Sequence, residues 1–423
     1  MSDQELIEKS KKISLFLRMK ARNNLKKADK EIEKPYLFYV DGYNGKHPVF
    51  IFSSFPCSKY CQGFCTPCLY SNIIHSTLNK EKIYNSLITQ TDFILKNFDE
   101  LITQKQTESN HKNLNKVYPN KKLATMELCG EGSFLANPEI PLEYREKILE
   151  MFKEYSEKEQ LNMQIILETK VADFLENIEE FENRKEMIKK MNLTLLFGFE
   201  SVDDFTRQVI YNKGLELKDF ELAIKKAKEL ELRTSAFLFC GFHSLTQKEL
   251  IEDVKKSIGY CKKNDIAIYL MLPNLQKFTL NHLLYKNNKF NFPDPRTILE
   301  IIKFLIQDSK GDKSSYYFDG YNWSIGGLTT YPEPELFLFS NGKNISCKKC
   351  SEKIKEIIYN LARNYNIEQF NQAIEELENC FCKEEYEKFI SSENKDKIDI
   401  KERVKQNLYF ANKQKEEYVE HEK

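Results

Sequence analysis

Cys57, Cys61, Cys65 and Cys68 stand within twelve residues of one another, in the run FPCSKYCQGFCTPCLYSN. Thiolates crowded this closely repel unless a cation gathers them, and two chemistries do so. A 4Fe-4S cluster can use three cysteines and leave its fourth iron open to a chelating ligand, whereas a structural zinc ion takes all four in a tetrahedron. For a cluster, four cysteines compete for three places. Cys61-x3-Cys65-x2-Cys68 and Cys57-x7-Cys65-x2-Cys68 are both workable, so Cys65 and Cys68 serve in either case and the first ligand is Cys57 or Cys61. A second set, Cys347 and Cys350 in CKKC with Cys380 and Cys382 in CFC, brackets the amphipathic segment IKEIIYNLARNYNIEQFNQAIEELEN. Its spacing is of the metal type, and zinc suits four thiolates best; a second iron-sulfur cluster and unligated buried cysteines are the alternatives. This second set is expected to fix an appendage and to do no chemistry.

The elements that must hold these residues show as a rhythm. Short β-rich apolar runs at 49–54, 123–129, 163–169, 193–199, 233–240 and 266–272 alternate with amphipathic stretches. Among the latter are PLEYREKILEMFKEY, opening after Pro138 and Pro141, and TQKELIEDVKKSIGYCKKN, beginning at the capping residue Thr246. Such alternation builds βα units on a parallel sheet with helices outside. Six strands fall short of the eight of a closed barrel, so the expected fold is α/β, a partial (β/α)6 barrel with its chemistry at the C-terminal strand ends. The expected divisions are a helical N-terminal extension over 1–45, the barrel over 46–310, a small C-terminal cysteine-rich α+β metal-binding domain over 311–400, and a charged, frayed tail over 401–423. The polar stretch 103–122 reads as a surface loop, and the aromatic run with Tyr316, Tyr317, Tyr321 and Trp323 reads as core for a small β element.

The strand ends carry the remaining candidates. The cysteine loop follows the first strand. After the second, LCGEGSFL sets Cys129, Gly130, Glu131 and Gly132 where glycine lets the backbone approach a ligand and Glu131 or nearby carbonyls can accept from an ammonium. LETK ends the third strand with Glu168, and FGFESVDDFTRQVIYNKG sets Glu200 and Ser201 after the fourth, followed by Arg207 and Lys213. Arg207 and Lys213 face either this mouth or solvent. Cys240 reads as a buried small apolar residue and His243 as a loop residue.

The cysteine spacing after a first strand resembles the hallmark of the radical S-adenosylmethionine (SAM) superfamily, and the later strand ends resemble its SAM-binding segments. The resemblance implies one 4Fe-4S cluster whose open iron chelates the amine and carboxylate of SAM. It further implies that Cys129, Gly130, Glu131 and Gly132 form the glycine-glutamate motif for the SAM amino group, that Glu200 and Ser201 meet the ribose, that Arg207 or Lys213 faces the SAM carboxylate, and that Glu168 touches SAM or substrate. Within the superfamily the chain resembles the radical SAM protein of archaeosine biosynthesis, the partner of archaeosine synthase, over roughly residues 50 to 390. The resemblance rests on Cys57-x7-Cys65-x2-Cys68, GSFLANPEIP, GFES with NKG, TQKELIEDVKKSI, PNLQKFT and the C-terminal cysteine pattern. It implies cleavage of SAM to a 5′-deoxyadenosyl radical and C–N bond breakage on a lysine-bearing 7-deazaguanine in the transfer RNA D-loop. Asn274, Gln276 and Thr279 would then lie at the substrate end, where amide donors and acceptors suit a purine-like base. The implied partners are an electron donor of the flavodoxin or ferredoxin type, tRNA and a transglycosylase-like protein. The strand-two segment CGEGSFL, the neutral charge and the Asn- and Lys-rich composition depart from that branch. Two other functions stay open: a radical SAM enzyme that matures a peptide or small metabolite, and a non-enzymatic zinc-binding nucleic-acid scaffold.

Composition narrows the setting. Lys plus Arg and Asp plus Glu number 64 each, giving a net charge of +0 and no global field for a polyanion, so any RNA contact needs a local basic patch. No run of 18 apolar residues exists, and the N-terminal stretch lacks the layout of a secretion signal. A cytoplasmic protein with no membrane contact is expected. There, eleven cysteines point to metal or cluster ligation and away from disulfides.

Overall fold

One eight-stranded sheet organises the backbone in the computed structural model, which describes residues 1–24, 33–42, 45–68, 79–103, 123–307, 323–326, 336–337, 344–364, 366–393 and 398–421. Strands β1 (Tyr36–Gly42) and β2 (Gly45–Ile51) form an antiparallel hairpin. From β2 onward every pairing is parallel, through β3 (Leu123–Cys129), β4 (Asn162–Thr169), β5 (Thr194–Glu200), β6 (Arg233–Phe239) and β7 (Ala267–Met271) to a last strand, β9 (Trp323–Gly326). The two-residue strand β8 (Asn274–Leu275) lies outside this sheet. The sheet curls until its edges, β1 and β9, approach each other without pairing among the described residues.

The six expected strands are present, and two more join them. Both additions are edge strands, and β1 runs into a hairpin with β2, so the βα rhythm carries no signal for it. Trp323 opens β9, while Tyr316, Tyr317 and Tyr321 lie outside the described residues, as do positions 104–122 of the expected surface loop.

Each parallel strand is covered on both faces, which is why it reads as a nearly continuous apolar run. Met126 and Leu128 point outward into the large core shared with the helices. Cys129, Val49, Ile51, Ile166, Leu196 and Tyr269 form a smaller cluster inside the barrel. The outer helices include α3 (Lys80–Lys96), α4 (Leu142–Lys158), α8 (Leu217–Glu229), α9 (Gln247–Lys263) and α11 (Pro295–Ile306); short helices α5 (Val171–Glu176), α6 (Ile178–Glu182) and α7 (Lys185–Lys190) fill the β4–β5 crossover. Helix α9 opens on the expected capping box: Thr246 Oγ1 accepts from Glu249 N at 3.2 Å, and Glu249 Oε2 accepts from Thr246 N at 2.8 Å.

After the barrel come α12 (Lys348–Asn364), α13 (Ile367–Glu375) and α14 (Phe381–Ser392), with β10 (Leu336–Phe337) pairing antiparallel to β8. The stretch expected to fray is instead helix α15 (Ile400–His421). Val404, Leu408 and Ala411 form a buried stripe at helical spacing, hidden in the sequence among charged residues. They join the same core as Leu6, Ile13 and Phe16 of the N-terminal helix α1 (Asp3–Asn24), against which α15 packs. Among the described residues no helix is long and apolar enough to cross a membrane.

Replacing Leu408 by Ala is therefore expected to destabilise the fold by about 2–4 kcal/mol, the usual cost of a large-to-small change in a core. Denaturant unfolding followed by circular dichroism measures it; an unchanged midpoint would mean that α15 is the frayed tail after all.

Candidate functional site

The cysteine loop begins six residues past β2, and two neighbours shape it. Short helix α2 (Ser58–Cys61) starts directly after Cys57. Beneath the loop lies the buried guanidinium of Arg18, carried by α1. Its Nη1 donates to the Tyr60 carbonyl at 2.5 Å, its Nη2 to Phe64 and Cys65 carbonyls at 2.5 and 2.9 Å, and its plane lies 3.9 Å from the Tyr60 ring centre. On the other side the segment after β5 adds strand-like bonds: Cys65 N donates to Asn212 O at 2.8 Å and Thr66 N to Tyr211 O at 3.0 Å. Gly63, at φ +85°, has no room for a side chain, since a Cβ there would stand 2.6 Å from the Lys11 carbonyl. Arg18 escaped the sequence reading. Its signal was present: Ser14, Arg18 and Ala21 fall on one buried helical stripe.

The four thiols do not face the same way. Cys57 is partly buried against the glycine segment after β3, where a Cβ on Gly132 would stand 2.5 Å from Cys57 Sγ. Burial, and then the charge of Glu139, push the Cys57 thiol up to about 12. Cys65 neighbours the Glu200–Lys213 pair, and Cys65 and Cys68 both neighbour Tyr211. Burial alone would lower the Lys213 ammonium, but Glu200 and then Cys65 carry it above its ordinary value. Burial, followed by Glu200, Cys65 and Cys68, drives the Tyr211 hydroxyl well above its own. Cys61 is exposed at the end of α2.

The strand ends supply the rest of the mouth. Glu131 N donates to Ser54 Oγ at 3.1 Å, and Phe134 N to the Glu168 carbonyl at 2.8 Å, so the turn after β3 is tied to β2 and β4. A Cβ on Gly130 would stand 2.9 Å from the Ser133 carbonyl. Glu139 accepts from Ser133 N at 2.9 Å and pairs with Lys170 at 2.7 Å. Burial raises Glu139 to about 7 despite Lys170. Glu168, on the inner face beside Cys129, is raised to about 8 by burial and then by Glu127. Glu200 ends β5 at a register shift against β6 with φ 71°, a conformation that costs a non-glycine residue about 1–3 kcal/mol, and its Oε1 accepts from Lys213 Nζ at 2.6 Å.

Three expected ligand residues are spent elsewhere. Ser201 turns outward, its Oγ donating to Asp253 Oδ1 at 2.8 Å. Arg207 is fully buried; its Nε donates to Leu215 O at 2.9 Å, its Nη1 to Ser201 O and Val202 O at 2.8 and 3.1 Å, and its Nη2 pairs with Asp204. It braces the loop after β5 and does not reach the mouth. Thr279 caps helix α10 (Leu280–Lys286), accepting from His282 N at 3.2 Å and donating to Gln276 O at 2.7 Å, so its hydroxyl is used twice. Asn274 lies in β8 and Gln276 is buried just beyond it. Leu280 N donates to the Thr66 carbonyl at 3.3 Å, which joins this segment to the cysteine loop. His243 is buried and lowered to about 4 by that burial; its Nδ1 is 2.8 Å from Ser244 Oγ, which accepts from Asn407 of α15 at 2.8 Å.

Deeper inside the barrel stands a carboxylate that the sequence reading passed over. Glu127 alternates with Met126 and Leu128 and so points inward, level with Val49 of β2 and Ile166 of β4. Its Oε2 lies 3.9 Å from His47 Nε2. Burial raises Glu127 to about 8. The signal was one acidic residue at an inward position of an otherwise uncharged strand.

The second cysteine set forms a compact group. The sulfurs of Cys347, Cys350, Cys380 and Cys382 all lie within 4.8 Å of one another, with Cys347–Cys380 at 3.8 Å and Cys382–Cys380 at 3.5 Å. A tetrahedral ion with metal–sulfur bonds of about 2.3 Å sets its sulfurs about 3.8 Å apart, so one ion fits. Arg296 of α11 reaches Cys382 Sγ at 3.4 Å and the Leu377 carbonyl at 3.1 Å, fastening the group to the barrel. Among the described residues the first loop does not draw its thiols into such a group. A four-iron cube holds its sulfurs farther apart than a single ion does.

Asp253, held under Ser201, gives this region a pH dependence. Burial lifts its carboxyl from 3.8 to about 7, so the folded chain keeps a proton that the unfolded chain releases. Stability from this group is full below about pH 4 and declines as pH rises toward 7. Asp253→Asn is expected to remove that decline, so its urea midpoint relative to the parent rises between pH 5 and pH 8; a constant difference would show that Asp253 titrates normally.

No protein-family model matches the chain. It is 24% identical over 393 residues to an uncharacterized protein of Methanocaldococcus jannaschii, covering 91% of this chain and 95% of that one. It is 25% identical over 276 residues to archaeosine synthase subunit beta of Methanosarcina acetivorans, covering 64% of this chain and 70% of the relative. The subunit of the same name from Thermococcus kodakarensis is 25% identical over 171 residues, 40% of this chain and about half, 51%, of the relative. These likenesses bear out the resemblance drawn from the cysteine spacing and strand-end motifs.

Proposed function

We propose that this chain is a radical SAM enzyme whose cluster ligands are Cys57, Cys65 and Cys68. The observation that carries the reading is the arrangement at the strand ends: Cys57 against Gly132, Cys65 beside Lys213, and Cys65 and Cys68 beside Tyr211, with Cys61 exposed. The residues suit the group they would hold. Cys57 lies so close to Gly132 that a side chain there would collide with it, and Cys65 lies beside Lys213. When bound, the cluster supplies one electron to the sulfonium of SAM.

This chain's own residues bind and orient the nucleoside. Gly130 and Gly132 bring the backbone close, and Glu131 and Glu168 accept from the amino group. Glu200 accepts from the ribose hydroxyls, held in its strained conformation by Lys213. Lys213 also lies beside Cys65 and offsets the negative charge of the SAM carboxylate. Cys129 packs beneath this layer.

We further assign the substrate as a lysine-modified 7-deazaguanine in tRNA and the outcome as C–N bond cleavage, on the strength of the relatives' names and the shared motifs. Asn274 and Gln276 remain as amide contacts for the base. The reading implies an electron donor of the flavodoxin or ferredoxin type and a transglycosylase-like partner protein. We assign the second cysteine set to a single structural zinc ion, because its sulfur spacing matches a tetrahedral ion and Arg296 stands ready to balance its charge.

Anaerobic reconstitution with iron and sulfide is expected to give a brown protein with about four iron atoms per chain, and dithionite with SAM is expected to release 5′-deoxyadenosine. Cys57→Ala should bleach it while Cys61→Ala keeps both colour and SAM cleavage. The reverse pattern would move the first ligand to Cys61, and a colourless parent would end the proposal. Separately, Cys382→Ser is expected to lower zinc by elemental analysis from about one ion per chain to near none; iron in place of zinc in the parent would overturn the zinc assignment.

A further inference from the structure

The outer face of α1 borders the cysteine loop and takes no part in the chemistry described above. Lys11, Lys12, Leu15 and Met19 share that face at helical spacing. Its inner edge touches the loop: a Cβ on Gly63 would stand 2.6 Å from the Lys11 carbonyl and 3.0 Å from Leu15 Cγ. Arg18, on the same helix, holds the Tyr60, Phe64 and Cys65 carbonyls. The face therefore adjoins the backbone that carries Cys61 and Cys65, and Cys61 is itself exposed.

Two apolar side chains stand open there. Leu15 is 41% and Met19 52% exposed, four residues apart on one helix, whereas Leu6, Ile13, Phe16 and Leu17 of the same helix are buried. Positive charge surrounds the pair. Lys11 and Lys59 lie 4.2 and 4.4 Å from the Phe64 ring centre, and Lys12 is exposed. Among the described residues the one carboxylate within ion-pair distance of these three lysines is Glu8, 2.8 Å from Lys11. An apolar centre inside a charged rim is the layout of a protein–protein contact. RNA would meet apolar groups where it needs charge.

We infer that this face of α1 is the docking surface for the electron donor, a small redox protein with an acidic surface around its cofactor. The inference rests on the reading of the chain as a radical SAM enzyme and deepens it by assigning where the electron enters. Reductive cleavage of SAM takes one electron from outside: the donor gives it up, the cluster receives it, and no bond or proton moves in that step. Electrons tunnel efficiently only over short distances, so the donor's cofactor has to come close to the cysteine loop. Helix α1 touches that loop on one side and is open on its outer side. Lys11, Lys12 and Lys59 steer an acidic partner to it, and Leu15 and Met19 supply the apolar contact that holds it.

The test uses the full chain, reconstituted anaerobically, with a bacterial flavodoxin as the donor probe and dithionite as a reductant that needs no docking. Flavodoxin affinity is measured by titration calorimetry without SAM, and 5′-deoxyadenosine release is measured with each reductant. The parent is expected to bind flavodoxin, more weakly as salt rises. The double variant Lys12→Glu, Met19→Glu is expected to weaken that binding at least about tenfold and to slow flavodoxin-driven release by a similar factor, with dithionite-driven release unchanged. No binding by the parent, binding that ignores salt, binding that survives the double variant, or an equal loss with both reductants overturns the assignment. The salt series is run on the parent, so a variant that fails to fold leaves it decisive. Unmodified tRNA is titrated in parallel: a variant that loses tRNA affinity while keeping flavodoxin affinity gives the face to RNA and overturns the proposal. A parent that releases no 5′-deoxyadenosine with dithionite counts against the radical enzyme, whereas release with dithionite and no flavodoxin binding counts against the docking surface alone.

Discussion

Arg18 brings a full positive charge into the protein and spends it on carbonyl oxygens. Tyr60, Phe64 and Cys65 all present their carbonyls to it, and the Tyr60 ring covers its plane. A buried guanidinium is expensive unless its donors are used and its charge is balanced. Here the donors are used by the loop backbone, and among the described residues no carboxylate pairs with it. The charge it brings lies directly under residues whose thiols become anionic when they take a metal. The loop is thus folded around a cation that would offset the thiolates in the proposed cluster-bound state, and the helix bearing that cation supports the loop although it lies outside the barrel.

The mouth follows the same logic with carboxylates. Glu127, Glu139 and Glu168 are all raised by burial, and the basic groups beside them are His47 for Glu127, Lys170 for Glu139, and Lys213, which Glu168 shares with Glu200. Carboxyls raised this far hold their protons near neutral pH, so the interior of the barrel carries less negative charge than its number of acids suggests.

The βα rhythm, the capping box at Thr246 and the cysteine loop were legible because each is local: a run of apolar residues, a Thr–Glu spacing, four thiols in a row. Residues whose task depends on distant partners were not. Ser201 and Arg207 sit in the expected segment, but Asp253 of α9 draws the one outward and the carbonyls of Ser201, Val202 and Leu215 absorb the other. Thr279 looked like a ligand because a threonine in a loop and a threonine at a helix cap have the same one-letter signature. Strand β1 was missed because it runs into a hairpin with β2, and the stripe of α15 was missed because three small or medium apolar residues are easily lost among charges.

The pairing of α1 with α15 has a consequence for how the protein is made. Asp3 and Lys401 meet at 2.6 Å, and the buried stripes of the two helices share one core across nearly the whole length of the chain. During synthesis the cysteine loop leaves the ribosome well before α15, the helix that completes the packing of α1 and with it the seat of Arg18. In that interval the thiols are present without their finished cradle, open to oxidation and to stray metal ions.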